Sequence, residues 1–371
     1  EIDEVVAFVN GKKVADLVEL GPAQIIAAAE LGYIKPWNNV GPIDVNDARW
    51  PEPSDTLGVY EGKTYGLSFY RPPEVRYCVI FNKTLLKSYN IDPNSLYTAV
   101  DKGTWNFDML RDLAIKCTKD NDGDGTMDTY GIIGPPSYIG YGLLKANNAK
   151  LATKTNGKIS VSINSQAAKN ALNYYYDLVN KDKVVYTNNT VLGKQDSYTK
   201  VNELKWIREF LNGKAAFMLY ESWVINQQVK PGAGNMEYGM LPYPKGPDAS
   251  NYITSADNSR LLCLTSTNKD KEKTATIFNA LAYPADGEEG LDYWYDIQAD
   301  YFQNNKRSLD MYKLCLQTSV TDIGAASDNL FYGFFSGAVA ETVYAHMSTP
   351  NEKLDSMVGV YDNALEAIFK N

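Results

Sequence analysis

β-rich runs and helical stripes alternate along this chain, and no low-complexity linker or internal repeat interrupts them. That alternation restricts the fold to the α/β class, because strands made of continuous apolar residues need helices over their faces. Pro22 to Ala29 carries Ile25, Ile26 and Ala29 at helical spacing and stops at Gly32. "VRYCVIF" (Val75 to Phe81) and "KAAFMLY" (Lys214 to Tyr220) read as strands, as do "YGIIGPP", Met236 to Met240 and Arg260 to Thr265. Leu110, Leu113, Ala114 and Cys117 define a helix for which Thr104 is the expected cap, and Ala168, Ala171, Leu172, Tyr175 and Leu178 define another. A further helix runs from about residue 270 to 282 and is stopped by Pro284. The last is announced by a capping box, Thr349 with Glu352, around Pro350. With 371 residues, 44% of them hydrophobic, the chain is long enough for two lobes, each with its own core.

One connection in this pattern has a chemical signature. "KDNDGDGTMDTYG" places Asp120, Asp122 and Asp124 at the first, third and fifth places of a calcium loop, with Gly125 at the turn that follows. The Thr126 carbonyl and Asp128 come next as ligands, while Gly131 stands where a bidentate glutamate belongs. The missing oxygen must come from Thr129, from water or from a distant segment. The plain alternative is a solvated acidic turn, since Asp, Asn and Gly favour turns. Four aspartates this close repel one another without a cation, and flexible oxygens suit calcium better than magnesium. A closed oxygen set without histidine points to a structural ion with no catalytic part.

Several function classes are set aside by composition. A net charge of -9 argues against nucleic acid or an anionic membrane as partner, and no apolar run is long enough to span a bilayer. The single histidine, His346, leaves zinc sites and imidazole-based dyads without their usual group. Cys78, Cys117, Cys263 and Cys315 form no C-x-x-C pair, and buried thiols are the default reading. The 27 tyrosines suit either packing or sugar stacking.

In chain order, "VADLVELGPAQIIAAAELGYIKPW", "KTYGLSFY", "VRYCVIFNKTLLKSYNID", "GTWNFDMLRDLAIKCTKDNDGDGTMDTYGI", "NGKAAFMLYESWVIN" and "LLCLTSTNKDKEKTATIFNALA" resemble the extracellular solute-binding proteins of bacterial carbohydrate ABC importers. The resemblance runs from about Val14 to Ala282 and more loosely to the end. It implies a two-lobed, periplasmic-binding-protein-like α/β fold (type II) with an interlobe cleft and a hinge. The first lobe is expected over 1–82 and 243–290, the second over 83–242 and 291–371. The family ordinarily starts with a further strand, helix and strand, so the first lobe is expected to lack a central strand.

The resemblance also implies a site. Trp223 matches the family's cleft tryptophan, with Glu221 and Ser222 beside it as partners for hydroxyls, or Ser222 as a helix cap. Tyr70, Arg71 and Glu74 fall where the family has its cleft mouth, although Arg71 and Glu74 also read as a surface pair. Asn258 is either a ligand contact or a plain turn. In "NLFYGFFSG", Tyr332 is a platform candidate while Phe334 and Phe335 read as core, and Trp50 is a loop aromatic of interest. The implied partners are a carbohydrate and the permease subunits of an ABC transporter, for a monomer outside the cell, lipid-anchored to its membrane. Two rivals stay open: the same fold taking a peptide or other solute, and a secreted calcium-containing glycosidase, which needs two carboxylates facing across a bond.

Overall fold

Every residue of Ala215–Tyr220 and of Cys78–Asn82 is buried, the signature of strands covered on both faces. They lie at the centre of a four-stranded sheet ordered Tyr238–Leu241, Cys78–Asn82, Ala215–Tyr220, Tyr130–Ile133. Cys78–Asn82 runs antiparallel to both neighbours, with Phe81 opposite Phe217 on one side and Gly239 on the other; Tyr130–Ile133 is parallel to Ala215–Tyr220. The computed structural model describes residues 15–47, 50, 57–68, 75–155, 158–187, 200–255, 260–282, 288–326, 330 and 333–369.

The period of two along these strands divides the interior. Val79, Phe81, Phe217, Leu219 and Ile132 point to one core, shared with helices Phe107–Cys117, Pro136–Ala146 and Gln166–Asn180. Cys78, Ile80, Met218 and Tyr220 point to the other, beneath Trp206, Ile207 and Phe210 of helix Lys200–Leu211 and Tyr312 and Cys315 of helix Lys306–Gln317. A second sheet is built around Leu261–Thr265, to which Leu17–Leu20, Ile34–Lys35 and Gly66–Leu67 all pair antiparallel. Helix Pro22–Glu30 sends Ile25 against it, and helix Lys271–Ala282 sends Ala275 and Phe278. The short strands Thr254–Ser255 and Ser319–Val320 pair parallel to each other.

Several expectations are met and two are corrected. The capping box at Thr349 is reciprocal: the Glu352 carboxylate accepts the Thr349 N–H, and the Thr349 hydroxyl accepts the Glu352 N–H. The helix after "GTW" is capped by Asn106, whose side chain accepts the Met109 N–H at 2.9 Å; the Thr104 hydroxyl donates backwards to Ala99 O. The strand Cys78–Asn82, which closes the first-lobe span expected from the sequence, pairs with Ala215–Tyr220 and Tyr238–Leu241. Trp50 is 3% exposed, stacked at 5.5 Å on Phe278 with its N–H donated to Asp44 O, so it is a core ring and not a platform. All four cysteines are buried, and burial raises the Cys117 and Cys315 thiols to about 12.

Gly131 explains a departure in the aspartate motif. A Cβ there would lie 2.3 Å from Ala114 Cα, because Tyr130–Ile133 is pressed against helix Phe107–Cys117. A glutamate at this position is sterically excluded, whatever a calcium loop asks for. Gly131→Ala is expected to destabilise the protein by about 2 kcal/mol through overpacking, read from its urea midpoint. An unchanged midpoint would mean that the helix and strand yield freely.

Candidate functional site

The chain leaves the central strand at Tyr220 and turns at Ser222, whose N–H is held by Val75 O at 3.1 Å, before a wide helical turn over Ile225–Val229. Glu221 and Trp223 sit at that exit. The Trp223 indole N–H donates to Glu221 Oε2 at 2.6 Å, and the Arg76 guanidinium bonds Oε1 at 3.2 Å. Glu221 is only 3% exposed, while Trp223 is half-buried. Burying a carboxylate is costly unless it is paired, and here a guanidinium and an indole share it.

Rings surround this exit from below. Tyr220 lies 5.9 Å from Trp223, and Tyr138 meets Tyr220 edge-on at 4.7 Å. Tyr77 then contacts Tyr138, Tyr141 and Tyr243, and the Tyr243 hydroxyl donates to Tyr138 O at 3.0 Å. Burial holds the Tyr243 phenol well above its ordinary range, so it stays neutral. The result is an indole on a stiff aromatic bed, an arrangement suited to stacking a flat apolar face.

The structure thus brings Trp223 and Glu221 together and places Trp50 in the core of the second sheet, with Leu264 and Phe278. Tyr70, Arg71, Glu74, Asn258 and Tyr332 lie outside the described residues. Phe334 is buried against Tyr141 at 6.1 Å, as core. Arg76 was missed by the sequence reading: it is 145 positions from Glu221, and an arginine before a strand gives no hint of its partner.

The aspartate loop is closed at its neck by a bridge between Lys119 and Thr129. Within it, Asp120 accepts the N–H groups of Gly123 and Gly125, Asp122 that of Asp124, and Asp124 that of Thr126. Gly123 and Gly125 have φ of +79° and +88°, conformations that favour glycine. Carboxylate oxygens of Asp120, Asp122 and Asp124 come within 4.8 Å of one another. The Gly125 amide, then burial in the opposite sense, then the Gly123 amide act on Asp120, and its carboxyl is held below the usual range. Asp128 accepts the Asn121 N–H at 2.7 Å. Thr129 is no candidate for the missing oxygen: its hydroxyl is buried between Cys117 O and the Tyr89 hydroxyl.

A separate concavity of about 700 Å³ lies beside this loop, lined by Thr126, Tyr130, Asn180, Asp182, Tyr344 and His346 among others. It does not include Trp223. Its polar groups serve the fold: Asn180 donates to Tyr176 O and Val343 O, and Arg111 holds Asp182. Chemistry, not cavity size, therefore assigns the candidate site to the exit of the central strand.

Residues 4–302 match the sequence family described as bacterial extracellular solute-binding protein. Among solved structures, the GacH receptor of Streptomyces glaucescens, described unliganded and with acarbose and an acarbose homolog, is similar with a TM-score of 0.68 at 17% identity, over 100% of this chain and 87% of its own. An ABC substrate-binding protein of Listeria monocytogenes in complex with cycloalternan gives 0.67 at 14% identity, over 98% and 88%. CpMnBP1 with mannobiose bound gives 0.66 at 21% identity, over 95% and 85%. At these identities the likeness is one of fold. No curated protein sequence matches the chain.

Proposed function

The chain belongs to the bacterial extracellular solute-binding protein family, and from that premise we propose that it captures a sugar or oligosaccharide and delivers it to an ABC importer. One observation carries the sugar reading: a half-buried indole, Trp223, fixed by a buried carboxylate at the exit of the central strand. Sugars present apolar C–H faces ringed by hydroxyls, so their sites need an aromatic face beside fixed polar groups. Support comes also from the relatives of this fold that hold acarbose, cycloalternan or mannobiose.

The two sheets are read as the two lobes, residues 15–68 with 261–282 and residues 78–241 with 306–369. In this reading the chain passes from one to the other after residue 68, after 255 and after 282, since Val75, Tyr77, Tyr243, Tyr252 and Phe302 already pack in the cores of the second. Ligand capture follows from closure about these crossings, since only the closed state offers contacts from both lobes at once. We read the protein as a monomer that acts outside the cell, lipid-anchored to the membrane, and presents its closed form to permease subunits. Catalysis has no part in this reading. Glu221 is engaged by Arg76 and Trp223 and is not poised as one of two facing acids.

The aspartate loop is assigned a structural calcium. The donors are hard carboxylate oxygens already gathered at one place, which is the chemistry calcium takes. Asp120, Asp122 and Asp124 would hold the ion, with Thr126 and Asp128 completing the set; bound there, it neutralises charges that otherwise repel. Calcium should raise the melting temperature of chelator-stripped protein, and Asp122→Ala should abolish that rise while leaving sugar choice unchanged. Identical melting curves with and without calcium would reduce the loop to a turn.

Native mass spectrometry tests the function. Incubated with a mixture of maltotetraose, mannobiose and tetrapeptides, the protein should carry one sugar per chain and return it intact after unfolding. A shortened sugar would identify a glycosidase, and a peptide adduct would identify another solute.

A further inference from the structure

Both oxygens of Glu221 are committed within the protein, one to the Trp223 indole N–H at 2.6 Å and one to Arg76 at 3.2 Å. A carboxylate at this place was expected to receive sugar hydroxyls, and its geometry assigns it another task. The acceptor lies two residues before the ring it binds, at the end of a strand buried along its whole length. The indole is thereby tied to the end of a fully buried strand that is paired on both sides. On its other flank Tyr220 stands 5.9 Å away at 59°, itself braced by Tyr138. Arg76, with 19% of its side chain exposed, balances the buried charge and holds the carboxylate in place.

Two consequences follow for recognition. A half-buried tryptophan without a tether samples rotamers that must be given up when a ligand binds, and a pinned one has already given them up. The N–H is also occupied, so the ring meets a ligand with its face and not with its hydrogen-bond donor.

We propose that Glu221, held by Arg76, is a positioning residue that fixes the Trp223 indole in advance as a platform for the apolar face of a sugar ring. This rests on the carbohydrate reading above. The pin acts through the indole and leaves the recognition of hydroxyls to other groups.

Indole ¹⁵N–¹H spectra and calorimetry with maltotetraose, or with mannobiose where that binds more tightly, test it together. The Trp223 signal is identified by its loss in Trp223→Phe. In the parent it should lie downfield, as expected of an N–H bonded to a carboxylate. Glu221→Leu should move that signal upfield and raise Kd about tenfold, the scale of a hydrogen bond to a charged group. Glu221→Gln keeps an acceptor and should stay within about threefold of the parent. Because both changes break one interaction, Glu221→Leu with Trp223→Phe should bind no more weakly than Trp223→Phe alone. Melting curves confirm that each variant is folded. A parent-like Kd in Glu221→Leu, alongside weakened binding in Trp223→Ala, would overturn the pin and leave the platform standing. An unchanged Kd in Trp223→Ala, or no binding of either sugar by the parent, would remove the carbohydrate platform and the inference with it.

Discussion

Trp223→Ala should raise the dissociation constant for the preferred sugar about thirtyfold or more, equivalent to ~2 kcal/mol. The indole is half-buried, and its far side is supported by Tyr220 and Tyr138. Alanine would remove apolar area that no neighbour can replace, and it would leave the Glu221 carboxylate with one partner fewer. Calorimetric titration of parent and variant gives the ratio, and tryptophan fluorescence of the parent should shift in the same titration. A variant that binds as tightly as the parent would mean the cleft lies elsewhere.

Asp322→Ala should destabilise the protein by about 3–5 kcal/mol, the range for breaking a buried ion pair from one side. Asp322 is fully buried and lies 3.5 Å from Lys145, whose side chain is 2% exposed. The same carboxylate accepts the N–H groups of Leu151, Ala152 and Gly324. Alanine takes the counter-charge from Lys145 and an acceptor from three backbone donors in one step. The pair sits just beyond Ser319–Val320, the strand paired with Thr254–Ser255. Urea denaturation followed by circular dichroism measures the change. Asp322→Asn with Lys145→Met should recover more than half of it, since the amide oxygen can still accept and no charge is left buried. A single-variant loss under about 1 kcal/mol would contradict this account of the pair.

The central sheet was legible because its strands are continuous apolar runs, which only burial on both faces explains. The last helix was legible from Thr349 and Glu352, two residues three positions apart that bond each other locally. Contacts between distant segments were not. Trp50 looked like a free loop aromatic because its partner, Phe278, lies far along the chain and nothing near "DARWPEP" has a period. Two polar side chains near the start of helix Phe107–Cys117 compete to cap it, and the extended backbone of Asn106 decides for Asn106. Ser319–Val320, at two residues, is too short for any pattern to reveal. At the site, the sequence supplied Trp223 and Glu221 as neighbours, but the role of Glu221 depends on Arg76 and on which way two side chains turn. The aspartate spacing was readable in full, and only packing against Ala114 explains why Gly131 closes it.

The claim that this chain is a carbohydrate-capturing member of its family is tested most directly by isothermal calorimetry of the purified protein against a panel of oligosaccharides and of peptides of matched length. The account predicts one-to-one binding of at least one oligosaccharide, in the micromolar range or tighter, about -8 kcal/mol, with no heat from the peptides. Binding of a peptide with no response to any glycan would contradict it.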